Sequence, residues 1–356
     1  MREGKSLTDL AQEIERQAAS KKDFIADTRH LGFATDERGT SRITVPSGED
    51  SKERFPITAH THSQLAARVK IPKAYYDRMR NEAPDLLDAN VNGWFQKAPE
   101  RRMVRTLDGD ARAFLSDRYR RIDNYDIFKV TLPILQSAGD LTVRSCEVTP
   151  SKMYIKATFP NVSRELKVGD TVESGIAISN SEIGKGMVDV ASLVYNLVCL
   201  NGMTLPSNLK RRHVGASVVG DGVLEDDSVF SDETLAQDDK TLLMKIQDLV
   251  KSALDEARFA EAIRKMDEAS EQAITGSPVK AVEVLANRFN LNGEEQEGVL
   301  LRLIEGKDLT HFGVVQAITR HAQDVEDYDR ASEMEALGGT VLNLAGSEWN
   351  EIGIAA

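Results

Sequence analysis

The stretch from Asp170 to His213 constrains the fold of this chain more than any other. Apolar and polar residues alternate over Thr171–Ser179, and the run Val188–Leu200 is rich in apolar and β-branched residues. Alternation with a period of two is typical of a strand, and a longer apolar run is typical of a buried one. We therefore expect two central strands joined by the turn-rich loop Asn180–Gly186.

Both ends of this expected strand pair carry positive charge. The loop contains Gly184-Lys185-Gly186, and the basic run Lys210, Arg211, Arg212 and His213 follows the second strand. Glycines let a backbone approach a ligand closely, so these two segments could hold phosphate groups. A central strand pair with ordinary polar ends explains the same pattern, and the loop lacks the spacing of a nucleotide-binding glycine motif.

The remaining pattern predicts an α+β fold, with an antiparallel β-sheet and packed helices in the N-terminal two thirds and an all-helical C-terminal region. Residues 141–149 and 152–159 alternate like strands, and apolar residues recur at helical spacing beyond Thr241. We expect an N-terminal helix and strand/loop region at 1–70 and an α+β core domain at 71–214. A flexible acidic linker at 215–239 and an acidic helical domain at 240–356 follow.

Charge is unevenly spread along the chain. The sequence has 45 Lys and Arg against 57 Asp and Glu. Residues 221–356 hold 29 acidic and 12 basic residues, a net charge of −17, which leaves 28 acidic and 33 basic residues and +5 for residues 1–220. The basic N-terminal part (residues 1–220) could bind a polyanion, and the acidic C-terminal part (residues 221–356) would repel it. A soluble protein with a charged helical tail is the alternative.

The densest basic segment outside the central stretch is an expected hairpin. Residues 101–106 and 111–115 read as strands around Asp108-Gly109-Asp110. Arginines on such a hairpin suit phosphate oxygens, because the guanidinium fork matches them, although nearby aspartates could pair with some of the arginines instead. The predicted nucleic-acid-binding residues are Arg101, Arg102, Arg105, Arg112, Arg118, Tyr119, Arg120, Arg121, Lys185, Lys210, Arg211 and Arg212.

Cysteine usage and hydropathy favour a cytoplasmic protein. Cys146 and Cys199 lie in apolar contexts that suit reduced, buried thiols. No apolar stretch reaches the roughly 18 residues of a membrane span. The N-terminus has an amphipathic pattern without the apolar core of a signal peptide.

Recognised catalytic motifs are missing from the sequence. It contains no nucleophile elbow, Walker A loop, HExxH or paired CxxC, so we predict no catalytic residues, metal or cofactor and favour a binding protein over an enzyme. His60 and His62 form an HxH pair without a third candidate ligand nearby. Trp94 and Phe95 could stack nucleobases, although core packing is the more common role of such a pair.

Several segments resemble a family of phage- and plasmid-like proteins known as domain of unknown function nine-three-two. They are IPKAYYDRMRNEAPDLLDANVNGWF, FLSDRYRRIDNYDIF, ISNSEIGKGMVDVASLVYNLVCLNGM and HFGVVQAITRHAQ. The resemblance spans most of Ile71–Asn343. It implies a setting in mobile elements and phage genomes, and it carries over no catalytic residues.

The plan of a basic β-rich front and a helical back is similar to phage single-strand annealing proteins of the Redβ and RecT kind. That similarity implies binding of single-stranded DNA in a basic groove, assembly into rings or filaments, and no need for ATP. We therefore expect a cytoplasmic single-strand annealing protein that forms homo-oligomers. The alternative is a phage-encoded interaction factor, such as a host-defence inhibitor or scaffold, whose acidic C-terminal helices bind a protein partner.

Overall fold

The computed structural model describes residues 1–48, 50–137, 140–167, 170–186, 188–206, 209–211, 216–219, 223–226, 232–252 and 256–354. Antiparallel sheets occupy the N-terminal two thirds, and helices make up the C-terminal third. The predicted α+β class is confirmed.

The N-terminal part combines two small antiparallel sheets with four helices. One sheet has the order β1-β5-β6 and the other β2-β3-β4. Asp108 and Gly109 both have positive φ, as a tight two-residue hairpin turn between β5 and β6 requires. The elements are α1 (Leu7–Ser20), β1 (Lys22–Asp27), β2 (Gly32–Thr35), β3 (Ser41–Pro46), β4 (Lys52–Pro56), α2 (Ala59–Arg68), α3 (Lys73–Glu82), α4 (Pro84–Lys97), β5 (Arg101–Leu107) and β6 (Asp110–Ser116).

A six-stranded antiparallel sheet forms the centre of the molecule, in the order β11-β10-β9-β8-β7 with β12 beside β10. The two central strands expected from the sequence are β9 and β10. They are adjacent in this sheet, where Ala177 pairs with Ala191. The elements are α5 (Asn124–Ser137), β7 (Thr142–Val148), β8 (Met153–Lys167), β9 (Asp170–Asn180), β10 (Val188–Asn196), β11 (Gly202–Thr204) and β12 (Leu209–Arg211).

Helices follow the sheet. Where a flexible linker was expected at 215–239, the described residues form a two-stranded hairpin and the first turns of α6, which begins at Asp232. The elements are β13 (Ala216–Val219), β14 (Val223–Asp226), α6 (Asp232–Ser252), α7 (Glu256–Glu271), α8 (Pro278–Phe289), α9 (Gly293–Gly306), α10 (His311–His321), α11 (Tyr328–Leu342) and α12 (Gly346–Gly353).

Two large hydrophobic clusters run across the expected domain boundaries. The first joins Leu10 of α1, Ile176 of the central sheet and Ile246 of α6 in one core. The second joins Phe33 of β2, Leu65 of α2 and the helices and strands up to β6. The C-terminal helices therefore share a core with the central sheet, because the apolar stripes of α6 and α7 cover one of its faces.

Cys146 is buried, Cys199 is half-buried, and neither forms a disulfide. Among the described residues, every helix is too short or too polar to cross a bilayer.

Candidate nucleic-acid interface

The loop Asn180–Gly186 packs against the N-terminal part, and the carbonyls of Ser181 and Ile183 accept hydrogen bonds from it. The Ser181 carbonyl accepts a hydrogen bond from the Tyr119 hydroxyl at 3.0 Å. The Ile183 carbonyl accepts one from Gln64 at 2.9 Å and one from His60 at 2.8 Å. The loop thus joins the central sheet to α2 and to the segment after β6.

Glu182 is the charged centre of this loop. Its carboxylate is buried, pairs with Arg112 and accepts a hydrogen bond from the backbone N–H of Asn124 at 2.6 Å. Asn124 begins α5, so the carboxylate also interacts favourably with the positive end of that helix. Glu182 was not among the predicted site residues, and its role here is structural.

Arg105 lies inside the protein rather than on a phosphate-binding surface. Its side chain is 0% exposed and donates to Asp23 at 2.8 Å, to Asp123 at 2.7 Å and to the Glu182 carbonyl at 3.0 Å. Burial alone would lower the pKa of this guanidinium, but the carboxylates of Asp123 and Asp23 outweigh burial and raise the pKa. In this structure Arg105 therefore lies away from the surface on which the predicted phosphate contact would form.

Three further predicted arginines are held by carboxylates. Arg102 pairs with Glu100, Arg112 pairs with Glu182, and Arg120 is buried and pairs with Asp238 at 2.5 Å and with Asp239. Tyr119 is buried as well and cannot stack a base. These arginines do pair with acids, but with Glu100, Glu182, Asp238 and Asp239 rather than with the aspartates near the hairpin turn that the sequence offered.

The other predicted residues are more accessible. Arg101, Arg118 and Lys185 are exposed; Arg121 is exposed too, with a guanidinium nitrogen 3.9 Å from Asp23. Lys185 donates to the Ser151 hydroxyl at 3.0 Å. Lys210 and Arg211 lie on β12, where the backbone alone is described, and Arg212 lies outside the described residues. The members of the predicted set whose side chains are described do not come together in one basic groove.

Trp94 is the accessible aromatic residue that the sequence left undecided. Helix α4 buries Leu87, Val91 and Phe95, which recur every four residues along one face. Trp94 immediately precedes Phe95, is therefore rotated about 100° from that face, and is 47% exposed. Core packing is confirmed for Phe95 and is wrong for Trp94.

The Trp94 side chain lines an open cleft of about 260 Å³ between α4 and the end of α2. Lys70 and Arg68 line the cleft, together with apolar side chains that include Val69 and Ile71. Lys97 and Arg101 are exposed and adjoin the cleft residues Ala98 and Glu100 in sequence. An indole face beside several cations is the combination that binds unstacked bases and their phosphates.

Some of the cations around this cleft already form ion pairs, and others do not. Arg68 and Arg102 both pair with Glu100. Burial lowers the pKa of Arg68, and the neighbouring positive charge of Arg102 lowers it further. Among the described residues, Lys70, Lys97 and Arg101 make no ion pair, so they can bind phosphate without breaking an existing contact.

Sequence reasoning named Arg101 but missed Arg68, Lys70 and Lys97. The sequence did hold a signal in α4, where the apolar residues recur every four positions. A tryptophan one position away from such an apolar face is expected at its edge. The approach of α2 to this rim is tertiary and has no local signal.

The histidine pair does not form a metal site. His62 is buried, and its Nδ1 lies 2.9 Å from the Tyr76 hydroxyl, whereas His60 contacts the loop carbonyl of Ile183. Within the described residues, no group of three or more His, Cys, Asp or Glu side chains could hold a metal ion. The contacts available at the Trp94 cleft are stacking, ion pairing and hydrogen bonding.

A family model described as a domain of unknown function (DUF932) matches residues 113–340, well over half of the 356-residue chain. The match runs from β6 to α11 and so contains the loop, the central sheet and most of the C-terminal helices. The Trp94 cleft precedes it. Comparisons with curated proteins and with solved structures found no match.

Proposed function

We propose a function for this chain, which belongs to the DUF932 family: it binds single-stranded DNA with Trp94 as a stacking platform and anneals complementary strands. The observation that carries the proposal is the half-exposed Trp94 indole in a cleft with Arg68 and Lys70. The proposal replaces the hairpin groove expected from the sequence, because four of the predicted arginines are held by carboxylates.

Stacking on Trp94 favours a single strand over a duplex. A base can lie against the indole only when its own neighbours do not cover it, and bases in a duplex are already stacked. Lys70, Lys97 and Arg101, which form no ion pair with the described residues, supply contacts to the phosphate backbone that do not depend on base sequence. A protein of this kind holds a strand open for pairing and needs no nucleotide hydrolysis.

The wider setting belongs to the same proposal. It comprises assembly into a ring or filament, a role in phage or mobile-element recombination, and action in the host-cell cytoplasm. Electron microscopy of the protein with and without a long oligonucleotide tests the assembly, and compact monomers in both samples would contradict it.

The direct test is a fluorescence-anisotropy titration of a labelled oligothymidylate with the full chain. Trp94→Ala is expected to weaken binding by about 5- to 150-fold, because stacking one base contributes about 1–3 kcal/mol. The matched control is Leu86→Ala on the same helix, where an apolar side chain of similar exposure (46%) is removed outside the cleft. Equal affinities of wild type and Trp94→Ala would overturn the proposal.

Salt dependence tests the cationic part of the interface separately. Three cations that each neutralise one phosphate give a slope of about −2 in log affinity against log salt concentration for a single strand. The triple variant of Lys70→Gln, Lys97→Gln and Arg101→Gln is expected to remove most of that slope. An unchanged slope would place the phosphate contacts elsewhere.

A specific observation also supports the second candidate, a protein-interaction factor. Val279 on α8 and Leu301 and Ile304 on α9 are 52%, 55% and 57% exposed, within a region whose net charge is −17 over residues 221–356. Apolar side chains on an acidic surface suit a partner segment that is apolar on one face and basic around it.

A synthetic amphipathic helix of leucine and lysine is the probe for this second candidate. Wild type is expected to bind it with an affinity that falls as salt rises, and the double variant Leu301→Ser, Ile304→Ser is expected to bind it more weakly. Equal binding by wild type and the double variant would mean that charge alone attracts the probe and would contradict an apolar docking surface.

A further inference from the structure

A second cavity, of about 170 Å³, lies between the central sheet and α11. Its floor is the face of β8, β9 and β10 that carries Tyr154, Lys156, Ala177 and Ala191. Ala177 and Ala191 are cross-strand neighbours, and Ala177 is also paired with Lys156. Two short side chains side by side leave a space between the sheet and the helix above it.

Two charged groups at this cavity are already neutralised. The Lys156 ammonium is buried and donates to Glu335 at 2.6 Å and to the Ser332 hydroxyl at 2.8 Å. Glu333 pairs with Arg330 at 3.0 Å. These groups shape the cavity wall, and their charges need no ligand.

Three other polar groups line the cavity: the Tyr154 hydroxyl, the Asp189 carboxylate and the partly exposed Lys152 ammonium. Tyr154 is only 5% exposed, and its hydroxyl lies beside the Asp329 carboxylate without a hydrogen bond of standard geometry among the described residues. One carboxylate oxygen of Asp189 is buried and likewise has no hydrogen-bond partner there. Lys152 lines the cavity and forms no ion pair within the described part of the chain. Buried polar atoms without partners are costly, so such groups point to a bound molecule.

The arrangement of these groups specifies the ligand. Lys152 and Tyr154 lie two residues apart and therefore on the same face of the sheet. Tyr154 pairs with Ser179, Ser179 with Asp189, and Asp189 with Lys210 of β12, whose backbone alone is described, so the row crosses four strands. At about 4.8 Å per strand, Tyr154 and Asp189 stand roughly 10 Å apart. A cation and a hydroxyl at one side thus face an anion at the other.

We propose that this cavity binds a small zwitterion, namely a free α-amino acid. The ammonium group of the ligand donates to the Asp189 carboxylate, and the ligand carboxylate accepts from the Lys152 ammonium and the Tyr154 hydroxyl. The cavity has room for roughly five or six water molecules at about 30 Å³ each, which suits a ligand with a small side chain. This site is separate from the Trp94 cleft.

The protonation state of Tyr154 agrees with its role as a donor. Burial and the neighbouring Asp329 carboxylate raise the pKa of Tyr154, so the hydroxyl keeps its proton at neutral pH and can donate it in a hydrogen bond.

Isothermal titration calorimetry of the full chain with glycine, L-alanine and L-serine tests the proposal without DNA. We expect at least one of these amino acids to bind. Ethylamine and propionate, which each carry one of the two charges, are expected to bind at least about tenfold more weakly. Absence of binding by all three amino acids at 10 mM (roughly the weakest binding that the method resolves) would overturn the proposal. Equal binding of either single-charge analogue would overturn the zwitterion assignment.

Two variants separate binding from folding. Asp189→Asn keeps the shape of the side chain and removes its charge, and Ala191→Leu fills the cavity without touching a charged group. Both are expected to lower amino-acid affinity by tenfold or more while retaining the circular dichroism spectrum of wild type. Should either variant lose its fold, the other still decides the question, and undiminished affinity in a folded variant would overturn the proposal.

Discussion

Arg105 and its partners bury a charge network beneath the hairpin. The guanidinium meets Asp23 and Asp123, and Lys21 also pairs with Asp123. Burial would raise the pKa of Asp123, but the positive charges of Arg105 and Lys21 outweigh burial and lower the pKa. At the scale of single residues, the interior is therefore stabilised by matched charges as well as by apolar packing.

Removing the central cation should be costly. Arg105→Ala is expected to lower the free energy of unfolding by about 3–5 kcal/mol, because two carboxylates would be left near the interior without their partner. Urea denaturation followed by circular dichroism measures the change. Arg101 is exposed and forms no ion pair among the described residues, so it is the control, and Arg101→Ala is expected to change stability by less than about 0.5 kcal/mol. Similar effects of both substitutions would contradict this account of Arg105.

His62 makes stability depend on pH. Burial, together with the positive charges of Arg80 and Lys73, lowers its pKa from 6.5 to about 4. The unfolded chain therefore binds a proton at this residue between pH 6.5 and pH 4 while the folded chain does not, so stability falls as pH decreases through that window.

His62→Leu is expected to reduce this loss of stability. Over the same window, the slope of unfolding free energy against pH should decrease by up to about 1.4 kcal/mol per pH unit. The exposed His30 supplies the control variant His30→Leu. Parallel curves for wild type and His62→Leu would show that His62 is not the titrating group.

At the scale of elements, local patterns in the sequence were enough to predict the strands and the hairpin. The alternation over residues 171–179 became β9, and Asp108-Gly109 became the turn between β5 and β6. Local patterns do not reveal partners, and so the sequence alone could not decide between phosphate and Glu182 as the partner of Arg112. The loop Asn180–Gly186 was singled out correctly as informative, but its described contacts are with the protein itself.

Helix α11 is attached to the sheet by a buried ion pair between Lys156 and Glu335. Lys156→Met is expected to cost about 3–5 kcal/mol, because it leaves a carboxylate that is 0% exposed without its cation. The double variant Lys156→Met, Glu335→Leu should recover most of that loss, since it leaves no buried charge behind. A urea-unfolding double-mutant cycle measures both effects, and additive losses would contradict this description of the pair.

At the scale of the whole molecule, charge separates the C-terminal helices from the rest of the chain, whereas packing joins them to the central sheet. The sequence suggested a helical back set apart by its acidity, yet Ile246 of α6 and Phe259 of α7 belong to the same core as the central sheet. The net charge of a helix reflects its exposed residues. Its apolar stripe shows that it packs against something, but the sequence does not identify the partner. The sequence alone therefore could not show whether elements on either side of the expected boundaries near residues 70 and 239 share a core.

A shared core predicts that the front of the chain does not fold alone. A truncated chain of residues 1–231 would expose the sheet face that α6 and α7 cover. It is expected to lack a cooperative urea transition and to bind a hydrophobic dye, because too little apolar surface remains buried. Cooperative unfolding of the truncated chain would favour separable domains instead.

The most direct measurement is the intrinsic fluorescence of Trp94 during titration with unlabelled oligothymidylate. The chain has two tryptophans, and Trp349 is 1% exposed and stacks on His311, so Trp349→Phe leaves Trp94 as the single reporter. If a base stacks on the indole, the emission is quenched in a saturable manner that weakens as salt rises. Emission that stays constant at low salt and excess oligonucleotide would contradict binding at the Trp94 cleft.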